Sequence, residues 1–368
     1  MDTNAFTNRI DRARAITRAV EIDALLVTPG PNLRYLTGYD AIPLERLTCL
    51  VIRADADPVL VAPSLEVPAA LASPAGRLGF EVVGWNESDD PFALVASMLP
   101  SAGVVALDDL MAASKVLHLR EAMPAFEQTL AGRVLRDLRM RKDAEEIEHL
   151  AVAGAAIDRV HARVPQYLRA GRTEREVGRD IAAAIVDEGH STVDFVIVAS
   201  GPNGASPHHE LSDRVIAAGD PVVVDIGGTM PSGYCSDSTR TYSVGEPPDD
   251  FIAYYAVLQQ AQQAAVAHVR PGVTAESIDA AARTTIAAAG YGDLFIHRTG
   301  HGIGLETHEE PYIITGNDEP VEAGMAFSVE PGIYVPARHG ARIEDIVIVT
   351  DDGVRSFNQQ PHDLVVVQ

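Results

Sequence analysis

Two stretches of this chain are built to one pattern. PVVVDIGGTMPSGYCSDSTRTYSV (221–244) runs through apolar residues to Asp225, meets a glycine two residues later, turns, and reaches a second acid at Asp237. MAFSVEPGIYVPARHGARIEDIVIVT (325–350) does the same with Glu330, Gly332 and Glu344. The acid separations are 12 and 14 residues. Two helical patterns precede each stretch: the charged run 124–163 and 173–189 before the first, 249–269 and 274–289 before the second. Thr274 reads as an N-cap. Self-similarity of this kind marks an internal repeat. It predicts two half-domains that face each other, each ending strands in acids.

An ionised carboxylate at the end of a buried strand is costly unless it is paired or metal-bound. For one such acid, a capped turn or a salt bridge is explanation enough. Four at equivalent places strain that reading, because converging carboxylates repel and need strong positive compensation. Arg240 and Arg342 are near in sequence, but two arginines cannot serve four carboxylates symmetrically. Two divalent cations can, since +4 balances −4. Oxygen-rich coordination with one imidazole suits Mn²⁺, Co²⁺, Fe²⁺ or Zn²⁺ and needs no cysteine. Paired ions lower the pKa of a shared water and polarise a carbonyl, which is hydrolytic chemistry.

HRTGHGIGLETHEEP (297–311) places His297, His301 and His308 among glycines at 300, 302 and 304. The glycines disfavour a helix and predict an extended segment whose backbone comes close to something. The stretch reads either as a polar surface loop or as a metal or catalytic site. It lacks the GxGxxG spacing and the lysine of a phosphate loop.

These motifs, in this order, closely resemble the catalytic domain of the pita-bread metallopeptidases, the family of prolidase, aminopeptidase P and methionine aminopeptidase. The resemblance covers about residues 140–355. The N-terminal part resembles the creatinase/prolidase N-terminal domain, with NLRYLTGY its most family-like stretch. The expected fold is therefore an α/β N-terminal domain over 1–132 and an α+β pita-bread catalytic domain over 133–368. The boundary falls where the sequence changes character, near 125–140.

Carried over by position, the resemblance makes Asp225, Asp237, His301, Glu330 and Glu344 ligands of two divalent ions, most readily Mn²⁺, with Asp237 and Glu344 shared. Glu330 would also be the base. His297 and His308 would flank the substrate. His208, in SPHHEL, falls at another family histidine position, and His209 reads as its exposed neighbour. Arg342 would orient Glu344 from behind. The first acid pair is spaced one residue wider than the family pattern, and the extra residue is expected in the turn around Met230–Gly233. The implied reaction is cleavage between an N-terminal residue and a following proline. Xaa-Pro dipeptides and longer Xaa-Pro-Yaa peptides both remain open, because Tyr312 stands where strict prolidases carry an arginine for the free carboxylate. Creatinase, and the family's binding modules, do not keep the five ligands.

Composition narrows the alternatives. A formal charge of −23 and the lack of a long Lys/Arg run disfavour nucleic acid. Two cysteines far apart, Cys49 and Cys235, make a disulfide framework improbable and suit a reducing compartment. MDTNAFTNRI lacks a signal-peptide pattern, and no apolar run reaches membrane length. The expectation is a cytoplasmic peptidase, a homodimer by resemblance, with small proline-containing peptides as its partners.

Overall fold

A computed structural model describes residues 3–368. The chain divides after Arg139 into two compact units. The first runs α1 (Thr3–Ala19), β1 (Ala24–Val27), α2 (Pro31–Thr37), β2 (Cys49–Arg53), β3 (Val59–Pro63), α3 (Val67–Ala72), β4 (Glu81–Trp85), α4 (Pro91–Ser97), β5 (Gly103–Leu107), α5 (Ala113–Ala122) and β6 (Phe126–Leu130), closing on α6 (Gly132–Met140). Its six-stranded sheet has the order β4-β3-β2-β1-β5-β6. β1 pairs antiparallel with β2 and parallel with β5, so the sheet is mixed. Leu26, Val51, Val61 and Val105 form part of its core.

The stretch PNLRYLT (31–37) forms α2. Pro31 starts it and Gly38 ends it in the left-handed conformation, φ 69°, the usual N-terminal proline and C-terminal glycine punctuation of a helix. Residues 126–130, read as part of a long helical run, form β6. FEQTL pairs parallel with β5 along its whole length, and a partner strand outweighs local propensity.

The second unit repeats itself, as the sequence predicts. α7 (Ala144–Tyr167) and α8 (Glu174–Asp187) precede β7 (Thr192–Ser200), β8 (Asp220–Thr229) and β9 (Cys235–Val244). α9 (Asp249–His268) and α10 (Ala275–Ala288) precede β10 (Gly300–Gly302), β11 (Glu309–Ile313), β12 (Ala326–Val329), β13 (Gly332–Val335), β14 (His339–Arg342), β15 (Asp345–Val349) and β16 (Val354–Ser356). β17 (Val365–Val367) returns to lie parallel beside β9. The sheets are β17-β9-β8-β7 and β11-β10-β12-β15-β16, with β13-β14 as a separate hairpin.

Each half has its own core. Ile157, Val160, Ile181 and Ile185 of the first helix pair pack with Val222, Val224 and Ile226 of β8. Leu258, Ala261, Ile278 and Ala282 of the second pair pack with Phe327, Val329 and Val347. Side chains alternate faces along a strand. The apolar residues of β8 and β12 therefore hold the ladders against the helices, and the acids stand where those runs end. Three of these four helices begin with side-chain caps: Asp143 and Thr173 form capping boxes with Glu146 and Glu176 at α7 and α8, and Thr274 caps α10. Among the described residues, no helix is long and apolar enough to cross a membrane.

Candidate metal centre

β8 and β9 pair in unbroken antiparallel register, from Asp220↔Val244 to Thr229↔Cys235. The ladder between the two acids therefore carries no bulge. Asp225 lies opposite Thr239, and Asp237 opposite Gly227, so the two acids share one face, diagonal to each other. In the other half, β12 and β15 pair up to Val329↔Asp345. Glu330 and Glu344 are the next residues beyond that last pair.

His301 sits at the centre of the three-residue β10, opposite Tyr312 of β11. Its flanking glycines have a steric cause. A Cβ at 300 would overlap the Ser328 carbonyl, and one at 302 would overlap the Glu310 carbonyl. β10 is thus squeezed between two neighbours, and His301 is held by its own backbone, whose N–H donates to Ser328 Oγ at 3.0 Å.

The five side chains converge. His301 Nε2 is 3.3 Å from Glu330 Oε1 and 3.6 Å from Asp237 Oδ2. Asp225, Asp237 and Glu344 offer carboxylate oxygens within 4.8 Å of one another; His301, Glu330 and Glu344, and likewise Asp237, His301 and His308, bring ring nitrogens and carboxylate oxygens equally close. Thr239 Oγ1 donates to Glu344 Oε2 at 2.8 Å. The other oxygen of Glu344, and Oδ1 of Asp225, are buried without a hydrogen-bond partner. Burial, then Glu344, Asp225 and Glu330, pushes the Asp237 carboxyl well above the usual range. Burial, then Glu330 and Asp225, does the same to Glu344. Glu330 is pushed up to about 7, by burial first and against the pull of Arg342.

One guanidinium touches this group. Arg342 Nη2 lies 2.5 Å from Asp225 Oδ2 and its Nε lies 3.9 Å from Glu330 Oε2. Arg240 turns the other way, to Asp345 Oδ1 and to the carbonyls of Glu344 and Gln360. Four carboxylates, one arginine and orphaned buried oxygens make an incomplete charge balance. An oxygen-rich donor set with imidazole nitrogen is what a divalent transition ion takes, so the residues present fit such an ion. His301 is ready as a neutral donor, because burial, then His308, lowers it to about 3.

The centre lies in the wall of a cavity of about 960 Å³, which His208, His297, Arg298, His308 and Phe195 also line. The His308 ring is 3.9 Å from that of His301, centre to centre. His297 Nε2 lies 2.8 Å from Tyr334 Oη, which accepts from Arg342 Nη1 at 2.7 Å. Burial, then Arg342, lowers His297 to about 4. Burial, then Arg298 and His208, also lowers His308. Both imidazoles are therefore neutral at physiological pH.

Residues 148–351 match the model described as metallopeptidase family M24, and residues 9–141 match the creatinase/prolidase N-terminal domain. The chain belongs to metallopeptidase family M24. It is accordingly an enzyme with the pita-bread fold, from a family that works with divalent metal. The crystal structure of dipeptidase PepE from Mycobacterium ulcerans is similar over 100% of this chain and 99% of that one, with 55% identity and a TM-score of 0.96. Xaa-Pro dipeptidase of Lactobacillus helveticus is 38% identical, over 94% of this chain and 95% of that protein. The structure of recombinant prolidase from Thermococcus sibiricus matches over 100% of both chains, with 36% identity and a TM-score of 0.92.

This M24 peptidase carries residues at its site that motif reading alone does not single out. Arg298 stacks on the Tyr312 ring at 4.3 Å to the centroid, which brings a cation into the cavity wall. Tyr334 links His297 to Arg342, a contact no spacing in the sequence announces. His209 is not the exposed neighbour expected from SPHHEL. Its Nε2 donates to the buried Glu174 at 2.8 Å.

Proposed function

We propose that this peptidase hydrolyses the bond between an N-terminal residue and a following proline, in the manner of an Xaa-Pro dipeptidase. Asp225, Asp237, His301, Glu330 and Glu344 would hold two divalent ions, with Asp237 and Glu344 facing both. Manganese suits this donor set. The observation that carries the reading is the convergence of these five side chains from the two halves of the catalytic unit, with buried carboxylate oxygens that no protein donor satisfies. When bound, the ions supply an activated water and polarise the scissile carbonyl.

The chain's own residues complete the chemistry. Glu330, fixed by a 3.1 Å hydrogen bond from Ser328 Oγ, takes the proton of the attacking water. The leaving nitrogen of an Xaa-Pro bond is the proline's own, a tertiary amide with no proton, so one must be delivered to it. His308 and His208 are the imidazoles that hydrogen-bond the carbonyl oxygen or relay to the departing nitrogen the proton that Glu330 has taken. His297 holds its place through Tyr334 and borders the substrate. Arg298 supplies a guanidinium for the free carboxylate of a dipeptide, which compensates for the uncharged Tyr312.

A second reading, an Xaa-Pro aminopeptidase, is favoured by the volume of the cavity. About 960 Å³ is near the upper end for small-molecule pockets and leaves room beyond a dipeptide. The protein is read as a cytoplasmic homodimer acting on small proline-containing peptides. The test is cleavage by Mn²⁺-reloaded enzyme of an Xaa-Pro dipeptide, the matching Xaa-Pro-Yaa tripeptide and an Xaa-Ala control. Dipeptide preference that is lost in Arg298→Ala supports the first reading. Tripeptide preference supports the second. Cleavage of Xaa-Ala alone overturns both.

A further inference from the structure

The cavity wall beside His208 is a strap, residues 206–212, that is held from two sides. On one side the Pro207 carbonyl accepts from both terminal nitrogens of Arg342 at 3.3 Å. On the other, His209 Nε2 donates to Glu174 Oε2 at 2.8 Å. His208 stands between these ties and lines the cavity.

Glu174 opens α8 and is 0% exposed. Its carboxylate accepts from the Ser200 N–H at 2.8 Å, Ser200 Oγ at 2.7 Å, Asn203 Nδ2 at 3.0 Å, His209 and Ser212 Oγ. These donors come from the end of β7, the turn after it and the strap. Burial pushes the Glu174 carboxyl up, but the donors together hold it below its usual value. Stability alone does not require such a group, because a buried ionic cluster contributes little over a well-packed apolar one. What a fully satisfied carboxylate adds is geometry. It fixes every donor at once, and so fixes the segments that carry them. Here one of those segments carries a histidine into the cavity.

We propose that Glu174 is a positioning residue for catalysis. Its buried carboxylate, acting through His209 and Ser212, clamps the 206–212 strap against the Arg342 tie and so sets His208 over the substrate. This rests on the reading of His208 given above.

The test is a double-mutant cycle on the Mn²⁺-loaded enzyme, with Glu174→Gln and His208→Ala made singly and together. Turnover, metal content and thermal unfolding are measured for each. Glu174→Gln is expected to lower kcat about tenfold or more, within the range for groups that orient active residues from behind, with metal content unchanged. In the His208→Ala background the same change should cost almost nothing, because residues acting in series are not additive. An equal loss in both backgrounds overturns the positioning role and leaves the reading of His208 standing. Wild-type turnover by His208→Ala overturns that reading and the positioning role with it. Should Glu174→Gln not fold, His209→Gln removes a single donor and is carried through the same cycle, read by the same criteria.

Discussion

Arg342 and Asp225 are joined across the two halves of the catalytic unit, Nη2 to Oδ2 at 2.5 Å. The same guanidinium donates from Nε to Thr239 Oγ1 at 3.1 Å and from Nη1 to Tyr334 Oη at 2.7 Å. A lysine could keep the charge but reach only one of these partners. Arg342→Lys is therefore expected to weaken metal retention or turnover about 10–100-fold. Titration of the stripped protein with Mn²⁺, followed calorimetrically, measures the first. Wild-type affinity together with wild-type turnover would leave Arg342 as packing only.

Asp237 and Glu344 each belong to two of the three groups of candidate ligand atoms, and both belong to the group with Asp225. Asp237→Ala or Glu344→Ala is expected to abolish both metal retention and activity. Elemental analysis of the purified variants decides it. Two ions per chain in either one would remove these residues from the ligand set.

Lys142 and Glu309 form an ion pair of 2.6 Å with side chains 1% and 8% exposed. Glu309 follows His308, so this pair anchors the segment that brings His308 to the cavity. Lys142→Met leaves a carboxylate buried without its cation, and a loss of about 3–5 kcal/mol is expected. Adding Glu309→Gln should recover part of it. Urea unfolding at neutral pH reads both. A single variant as stable as the wild type would mean that water or another cation replaces Lys142.

His161 is buried, with Nδ1 3.0 Å from Tyr242 Oη and Nε2 3.1 Å from Ser238 O. Burial, then Arg240, lowers it to about 3 from an ordinary 6.5. Between those values the unfolded chain binds a proton that the folded chain refuses. Stability contributed by neutral His161 is therefore full above pH ~6.5 and lost as pH falls toward 3, with a slope of at most about 1.4 kcal/mol per pH unit. His161→Gln should unfold with a shallower pH dependence over that window. Parallel curves for the two proteins would contradict the assignment.

Much of this site is legible in the residues. Asp225 and Glu330 stand out because an apolar strand that ends in an acid carries a cost needing an explanation, and the pattern occurs twice. His301 stands out because glycines on both sides imply a crowded backbone, which the carbonyls of Ser328 and Glu310 provide. Other features depend on partners distant in sequence. β6 is a strand because β5 lies beside it. Arg298 enters the cavity wall because Tyr312, on the next strand, gives it a ring to lie on. Glu174 looks like an ordinary acid in the first turn of a helix. Only the fold shows that three segments converge on it.

Each half of the catalytic unit has its own helix-backed core, and the two are joined along a seam where Leu150 and Tyr234 pack with Ile303, Ala326 and Ile346, yet neither half contains a whole site. Asp225 and Asp237 belong to one, and His301, Glu330 and Glu344 to the other. An ion seated among all five would act as a rivet, and opening either half would release it. Amide hydrogen exchange in β8 and β12, which share no backbone ladder, should slow together when metal is added, so two halves with their own helix-backed cores would report a single protection energy.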